Sequence, residues 1–111
     1  MTKKTYLCSE VFKIRRMNKN EIVNKLQQIK PYLQQEYAVK TVGLFGSFAD
    51  GTYTDNSDVD IMVEFEHPIG WQFFTLEEYL GKTLNRKIDL VTTNALKDQL
   101  KPFILNQIQY V

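Results

Sequence analysis

Residues 39–60 read VKTVGLFGSFADGTYTDNSDVD. The first seven of them are mostly β-branched and apolar, which predicts a buried strand. This strand ends at Gly46-Ser47, and a loop rich in Gly, Thr, Asp, Asn and Ser follows it. Asp58 and Asp60 come next, at the start of a second predicted strand. The stretch therefore places Gly46-Ser47 at the end of one strand and the pair Asp58 and Asp60 at the beginning of the next.

The two carboxylates lie two residues apart, so they lie on the same face of a strand while Val59 turns to the core. Like charges this close repel each other, and a divalent cation with a preference for oxygen ligands, such as Mg²⁺, removes the conflict. Asp89 lies in another apolar strand, where a charged side chain is costly without a partner. Pairing of this strand beside the Asp58–Asp60 strand would bring three carboxylates together.

Gly46 and Ser47 have the chemistry of a phosphate cradle. A glycine lets a phosphate approach the backbone, and the free amides at a helix start, together with the Ser47 hydroxyl, can bind phosphate oxygens. A phosphate-binding turn combined with a set of carboxylates is typical of proteins that catalyse two-metal phosphoryl or nucleotidyl transfer.

The rest of the chain predicts a mixed α/β domain with the order helix–strand–strand–helix–strand–helix. The first helix begins at Asn18 or Asn20, and Pro31 breaks it, kinks it or opens a second short helix. The later elements are a strand over 59–65, a helix from Trp71 to Leu84, a strand from Lys87 to Thr92, and a last helix capped by Thr93 or Asn94 whose core-facing residues are Leu96, Leu100, Phe103, Ile104 and Ile108.

Composition limits the functions that the chain can have. Its 111 residues suit one domain, and 14 basic against 13 acidic residues argue against broad electrostatic binding of nucleic acid. No signal peptide and no apolar run long enough for a membrane span is visible, and the single Cys8 excludes an internal disulfide. We expect a reduced, cytoplasmic setting.

The first sixteen residues look unlike the rest and are basic. We interpret 1–16 as an appendage, either an upstream start or a disordered arm, with an extra strand or helix at the domain edge as the alternative. The domain itself would span 17–111.

Gly46-Ser47, ten intervening residues and Asp58-x-Asp60 resemble the nucleotidyltransferase signature of the DNA polymerase β superfamily. The surrounding LFGSFADG and SDVDIMVEF resemble the minimal nucleotidyltransferases, which are the antitoxin partners of HEPN toxins. The resemblance continues through RKIDLV and covers about 17–111, nearly the whole chain.

This resemblance implies a polymerase-β-like fold, in which helices pack on a small mixed sheet, and a reaction that uses ATP and Mg²⁺. Asp58 and Asp60 would hold the metal ions, of which two are expected, and Asp89 would be the third carboxylate that helps to deprotonate the attacking hydroxyl. Gly46 and Ser47 would grip the triphosphate. The acceptor would be a tyrosine of the HEPN toxin, which AMP transfer silences.

Asp50 departs from the family, which often has Arg at this position of the loop. An antitoxin that neutralises its partner by contact alone is therefore one alternative. A small-molecule nucleotidyltransferase is another, although such enzymes carry a second domain for the acceptor. A domain this small also predicts association with a partner protein, with copies of itself, or with both.

Other polar and aromatic residues have simpler interpretations. Ser57 is a turn or cap residue, and His67 beside Pro68 is a loop histidine. The aromatic residues near the second long helix belong to the core or to a partner surface, and the basic residues at its end form a solvated face, with nucleotide-phosphate binding as the alternative. The aromatic residues are Trp71, Phe73 and Phe74, and the basic residues are Lys82, Arg86 and Lys87.

Overall fold

Four helices and four strands make up the part of the chain that the computed structural model describes, residues 17–93 and 101–111. In chain order they are α1 (Lys19–Tyr37), β1 (Val39–Phe45), α2 (Ser47–Asp50), β2 (Val59–Phe65), α3 (Gln72–Leu84), β3 (Ile88–Thr92), α4 (Lys101–Gln107) and β4 (Gln109–Tyr110). The predicted order is confirmed, with α2 and β4 in addition. The predicted appendage 1–16 and the predicted start of the last helix lie outside the described residues. Within them, no helix combines the length and the apolar character needed to cross a bilayer.

The first helix begins with a reciprocal cap. Asn18 Oδ1 accepts a hydrogen bond from the Glu21 amide at 2.9 Å, and the Asn18 amide donates to Glu21 Oε1 at 3.0 Å. The helix then runs through Pro31 without a break and ends before Ala38, whose φ is 54°. Pro31 is exposed, so the carbonyl that loses its amide donor in the turn before the proline can bond to water instead.

The sheet is mixed, as predicted, with the strand order β3-β2-β1-β4. The crossover through α3 makes β2 and β3 parallel, whereas β1 is antiparallel to both β2 and β4. α1 and α3 pack on one face of the sheet and close a core that includes Ile22, Leu26, Leu33, Leu44, Val59, Ile61, Val63, Leu76, Leu80 and Leu84. Because side chains alternate along a strand, Asp60, Met62 and Glu64 lie on the other face.

The end of the chain differs from the prediction at Ile108. The last helix stops at Gln107, and Ile108 leads into β4, which pairs with β1 at Gly43 and Leu44. A Cβ atom at Gly43 would collide with the Ile108 side chain, so the glycine provides the space that Ile108 occupies. The prediction of a helix through Ile108 is wrong, because room beside Gly43 and pairing with β1 favour an extended conformation. Leu96, Leu100 and the side chains of Phe103 and Ile104 are outside the described part.

Candidate active site

The turn after β1 is built around Gly46. Its φ of 68° and ψ of −145° belong to a region that other residues rarely adopt. α2 begins at the next residue, and the amides of Ala49 and Asp50 donate to Gly46 O at 3.0 and 3.2 Å. The amides ahead of them, those of Ser47 and Phe48, receive no side-chain cap from Gly46. These amides stand where the sequence predicts the phosphate cradle.

The three predicted carboxylates come from two neighbouring strands. Asp60 of β2 is the register partner of Asp89 on β3, and Asp58 lies two residues before Asp60. Asp60 is half-buried, while Asp58 and Asp89 are exposed. A Cβ atom at Gly46 would collide with the Asp60 carboxylate. The structure therefore brings the glycine turn and the carboxylates into one site, with Asp60 between them.

Asp60 is the electrostatic centre of this site. Burial raises its pKa from the ordinary 3.8 to about 6, and the negative charges of Asp89 and Asp58 add to the rise, as does a hydrogen bond with Asp89. A divalent cation would relieve this repulsion, so the donor set fits a hard metal ion such as Mg²⁺. Among residues 17–93 and 101–111, no three His, Cys, Asp or Glu side chains already stand as a ligand cluster.

The loop between the Gly46 turn and Asp58 is held by hydrogen bonds from its own side chains. The Asp50 carboxylate accepts from Thr52 N at 2.9 Å and Thr52 Oγ1 at 2.7 Å, and these bonds lower its pKa. Ser57 Oγ accepts from Thr54 N at 2.8 Å, so its predicted turn role is confirmed. Asp50 thus stabilises the turn that follows α2.

The interpretation of the basic residues as one solvated face is wrong for Arg86. Lys82 and Lys87 are exposed, but the Arg86 side chain is only 4% exposed. α3 ends at Leu84, and Asn85 with its φ of 52° reverses the chain, so Arg86 turns inward instead of continuing the helix surface. The burial of Arg86 was not predicted from the sequence, and the available signal was its place between a helix end and an apolar strand.

The aromatic residues at the start of α3 divide between core and surface. Phe73 packs against the core beside Phe65, with ring centroids 6.5 Å apart, whereas Trp71 and Phe74 are 84% and 63% exposed. His67 is exposed in the preceding turn, as predicted, with Nδ1 3.1 Å from Pro68 O. The partner-surface alternative stays a prediction for Trp71 and Phe74.

A cavity of about 410 Å³ lies at the other end of β2, between Val63, His67, Phe73 and Thr92. Its lining does not include Gly46 or the three carboxylates. Val63 and Phe65 are three and five residues along β2 from Asp60, which corresponds to about 10–17 Å. This cavity is therefore separate from the candidate site.

A small mixed sheet with a glycine turn after one strand and carboxylates on the next two defines a nucleotidyltransferase-type domain. The family model described as the nucleotidyltransferase domain matches residues 26–111. The chain belongs to this family, and the resemblance described from its motifs is confirmed.

Two relatives show how specific this membership is. A Methanocaldococcus jannaschii protein assigned to the protein adenylyltransferases is 46% identical over 78 residues, which cover 69% of this chain and 91% of the relative. The protein adenylyltransferase MntA of Thermococcus cleftensis is 38% identical over 92 residues, covering 82% of this chain and 93% of the relative.

Two solved structures share the fold. A toxin–antitoxin structure with AMP-PNP matches with a TM-score of 0.61 and 26% identity, over 85% of this chain and 72% of the other. A complex of a tri-AMPylated Shewanella oneidensis HEPN toxin with an MNT antitoxin matches with a TM-score of 0.53 and 22% identity, over 84% of this chain and 67% of the other.

Proposed function

We propose that this chain is a protein adenylyltransferase that moves AMP from ATP to a hydroxyl, most readily a tyrosine, of a partner HEPN toxin and so acts as its antitoxin. The observation that carries the proposal is the position of Asp60. Its carboxylate lies where a Cβ atom at Gly46 would be, and the charges of Asp58 and Asp89 act on it. The protein adenylyltransferase relatives and the fold shared with toxin–antitoxin complexes support the same conclusion.

The site has two arms, the turn at Gly46 and Ser47 and the carboxylate set of Asp58, Asp60 and Asp89, and each has a separate role in this proposal. The backbone at Gly46 and the hydroxyl of Ser47 bind the triphosphate of ATP. Asp58, Asp60 and Asp89 would hold Mg²⁺, which when bound would neutralise charge on the phosphates and on the departing group. Burial, and after it the negative charges of Asp89 and Asp58, raise the pKa of Asp60, and a bound cation would offset these unfavourable effects on the ionised carboxylate.

The reaction is an in-line displacement at the α-phosphorus of ATP. The oxygen of the toxin hydroxyl forms a new bond to this phosphorus, and the bond to the oxygen that bridges the α- and β-phosphates breaks. Pyrophosphate leaves, and the hydroxyl proton passes toward the Asp89 carboxylate as general base. Gly46 and the strand register hold the reacting groups in place, which is the main contribution of a protein to this chemistry.

Intact mass spectrometry of the partner toxin after incubation with this protein, ATP and Mg²⁺ tests the proposal. We expect a mass increase of one or more AMP groups with the wild-type protein and almost none with Asp58→Ala. Ser57→Ala, which changes a turn residue beside Asp58, is the matched control and should retain most of the transfer. A toxin of unchanged mass with a correctly folded wild-type protein would end the proposal.

Asp50 favours a second candidate, an antitoxin that neutralises its partner by contact. Asp50 places a negative charge in a loop where the family often has an arginine near the phosphates. Toxin neutralisation in cells by an Asp58→Ala, Asp60→Ala double variant separates the two: survival equal to wild type supports contact, and toxicity supports catalysis.

A small-molecule nucleotidyltransferase is less well supported. The cavity described above lies about 10–17 Å from Asp60 along β2, so a molecule bound there would not reach the site. ATP-dependent modification of a hydroxylated small molecule, in a screen without the toxin, would overturn this judgement.

A further inference from the structure

We infer that Arg86 is the positioning residue that aligns the Gly46 turn with the Asp58–Asp60 strand. This inference rests on the proposed function, since it assigns the reason why the two arms of that site stay together. Arg86 is 4% exposed, and its guanidinium contacts backbone carbonyls of the loop that joins the Gly46 turn to Asp58.

The Nη1 side of the guanidinium hydrogen-bonds to backbone carbonyls of the turn that leads into Asp58. Arg86 Nη1 lies 3.0 Å from Ser57 O, 3.2 Å from Asp55 O and 3.3 Å from Thr54 O. Arg86 Nε donates to Met17 O at 3.2 Å, just before α1. Carbonyls that turn inward need a donor, and a single planar group supplies it to the whole turn.

The face of the same guanidinium contacts the other arm. Its central carbon lies 4.9 Å from the ring centroid of Phe48, two residues after Gly46. Phe48 is fully buried and stacks on Tyr53 with centroids 4.2 Å apart, and Tyr53 Oη accepts from Lys19 N at 3.0 Å. The cation–π contact therefore links α2 to the carbonyls that Arg86 holds.

The main chain next to Arg86 reinforces the same junction. The amide of Val59 donates to Lys87 O at 2.9 Å, and Val59 pairs with Ile88 one residue before Asp60 pairs with Asp89. Side chain and backbone of this segment thus set the register at the point where the carboxylates meet. A shift of either arm would separate the phosphate cradle from the carboxylates, and small displacements of this kind are costly for transfer.

Lysine would not replace this arginine. An ammonium group is a compact donor without the planar fork, so it does not serve Met17 O and the turn carbonyls at once while stacking on Phe48. This geometry also disfavours the nucleotide-phosphate role considered from the sequence, because the guanidinium is already enclosed by protein groups.

The test compares Arg86→Lys and Arg86→Met with Leu33→Ala, at a temperature where circular dichroism shows all of them folded. Leu33 is fully buried in the C-terminal half of α1 and belongs neither to the Gly46 turn nor to the carboxylate set, so its truncation should lower stability through the core. We measure kcat and KM for ATP in transfer to the toxin, and amide hydrogen exchange over residues 52–60.

We expect kcat to fall about tenfold in Arg86→Lys and about a hundredfold in Arg86→Met, with KM for ATP changed less than about threefold and faster exchange over 52–60. Leu33→Ala should keep the wild-type kcat and the wild-type exchange in this segment. Arginine variants that behave like Leu33→Ala would overturn the inference and leave Arg86 a purely structural residue. If the wild-type protein transfers no AMP, the proposed function fails, and unchanged exchange in Arg86→Lys would then separately refute the positioning role.

Discussion

Asp60 illustrates, at the scale of one residue, how a carboxylate of the proposed site lowers the stability of the fold. Its pKa is raised to about 6 by burial and by the charges of Asp89 and Asp58. The folded state therefore prefers the protonated form, and this contribution to stability is present at low pH and is lost as the pH rises from about 4 through 6.

Asp60→Asn should remove this pH-dependent loss. Because Asp60 is only half-buried, solvent screening limits the gain to about 1 kcal/mol, or about 5 °C in Tm, at pH 7.5 without divalent cations. Thermal melts of both proteins in EDTA at pH 4.5 and 7.5 measure it, with the difference between the proteins smaller at pH 4.5. A variant less stable than wild type at pH 7.5 would contradict the assignment.

Gly46 provides a second residue-scale prediction with a matched control. Gly46→Ala places a Cβ against the Asp60 carboxylate at a φ of 68°, so AMP transfer should fall at least about a hundredfold. Gly51→Ala also has a positive φ, 87°, but its Cβ meets nothing within 4 Å. It should lose about 1 kcal/mol of stability and keep transfer within about threefold. Equal kinetic losses in the two variants would show that strain alone, and not the Asp60 contact, explains the effect.

At the scale of elements, β4 depends on the space beside Gly43. Gly43→Ala should push the Ile108 side chain away and lower the free energy of unfolding by about 1 kcal/mol. Ile108→Ala in the same chain should recover part of this loss, since it removes the colliding atoms. Denaturant titrations of the two single variants and the double variant complete the cycle. Strict additivity of the two changes would contradict direct packing of Ile108 on Gly43.

Elements with strong local patterns were predictable from the sequence, and those that depend on tertiary contacts were not. The apolar, β-branched runs gave β1, β2 and β3, and the acidic residue inside the third run pointed to Asp89 as a partner of Asp60. β4 has two residues and exists only because it pairs with β1. Arg86 was misread because a basic residue after a helix resembles a surface residue until the left-handed turn at Asn85 is known.

At the scale of the whole molecule, the proposed transfer requires a complex, because the acceptor hydroxyl lies on the partner toxin. Light scattering should show a larger species when the HEPN toxin is added, and Asp58→Ala should form the same complex because the role proposed for Asp58 is in transfer and not in binding. A strictly monomeric protein whose mass in solution is unchanged by the toxin would contradict this expectation.

The central claim is that Gly46, Asp58, Asp60 and Asp89 form one centre for transfer of AMP. Its most direct test follows the fate of two labels, one on the α- and one on the γ-phosphate of ATP, in a reaction with Mg²⁺ and the toxin. We predict that the α-label joins the toxin, that the γ-label leaves in pyrophosphate, and that Asp60→Asn and Asp89→Asn each reduce labelling at least about a hundredfold. Labelling of the toxin by the γ-phosphate, or equal α-labelling by wild type and both variants, would contradict the account.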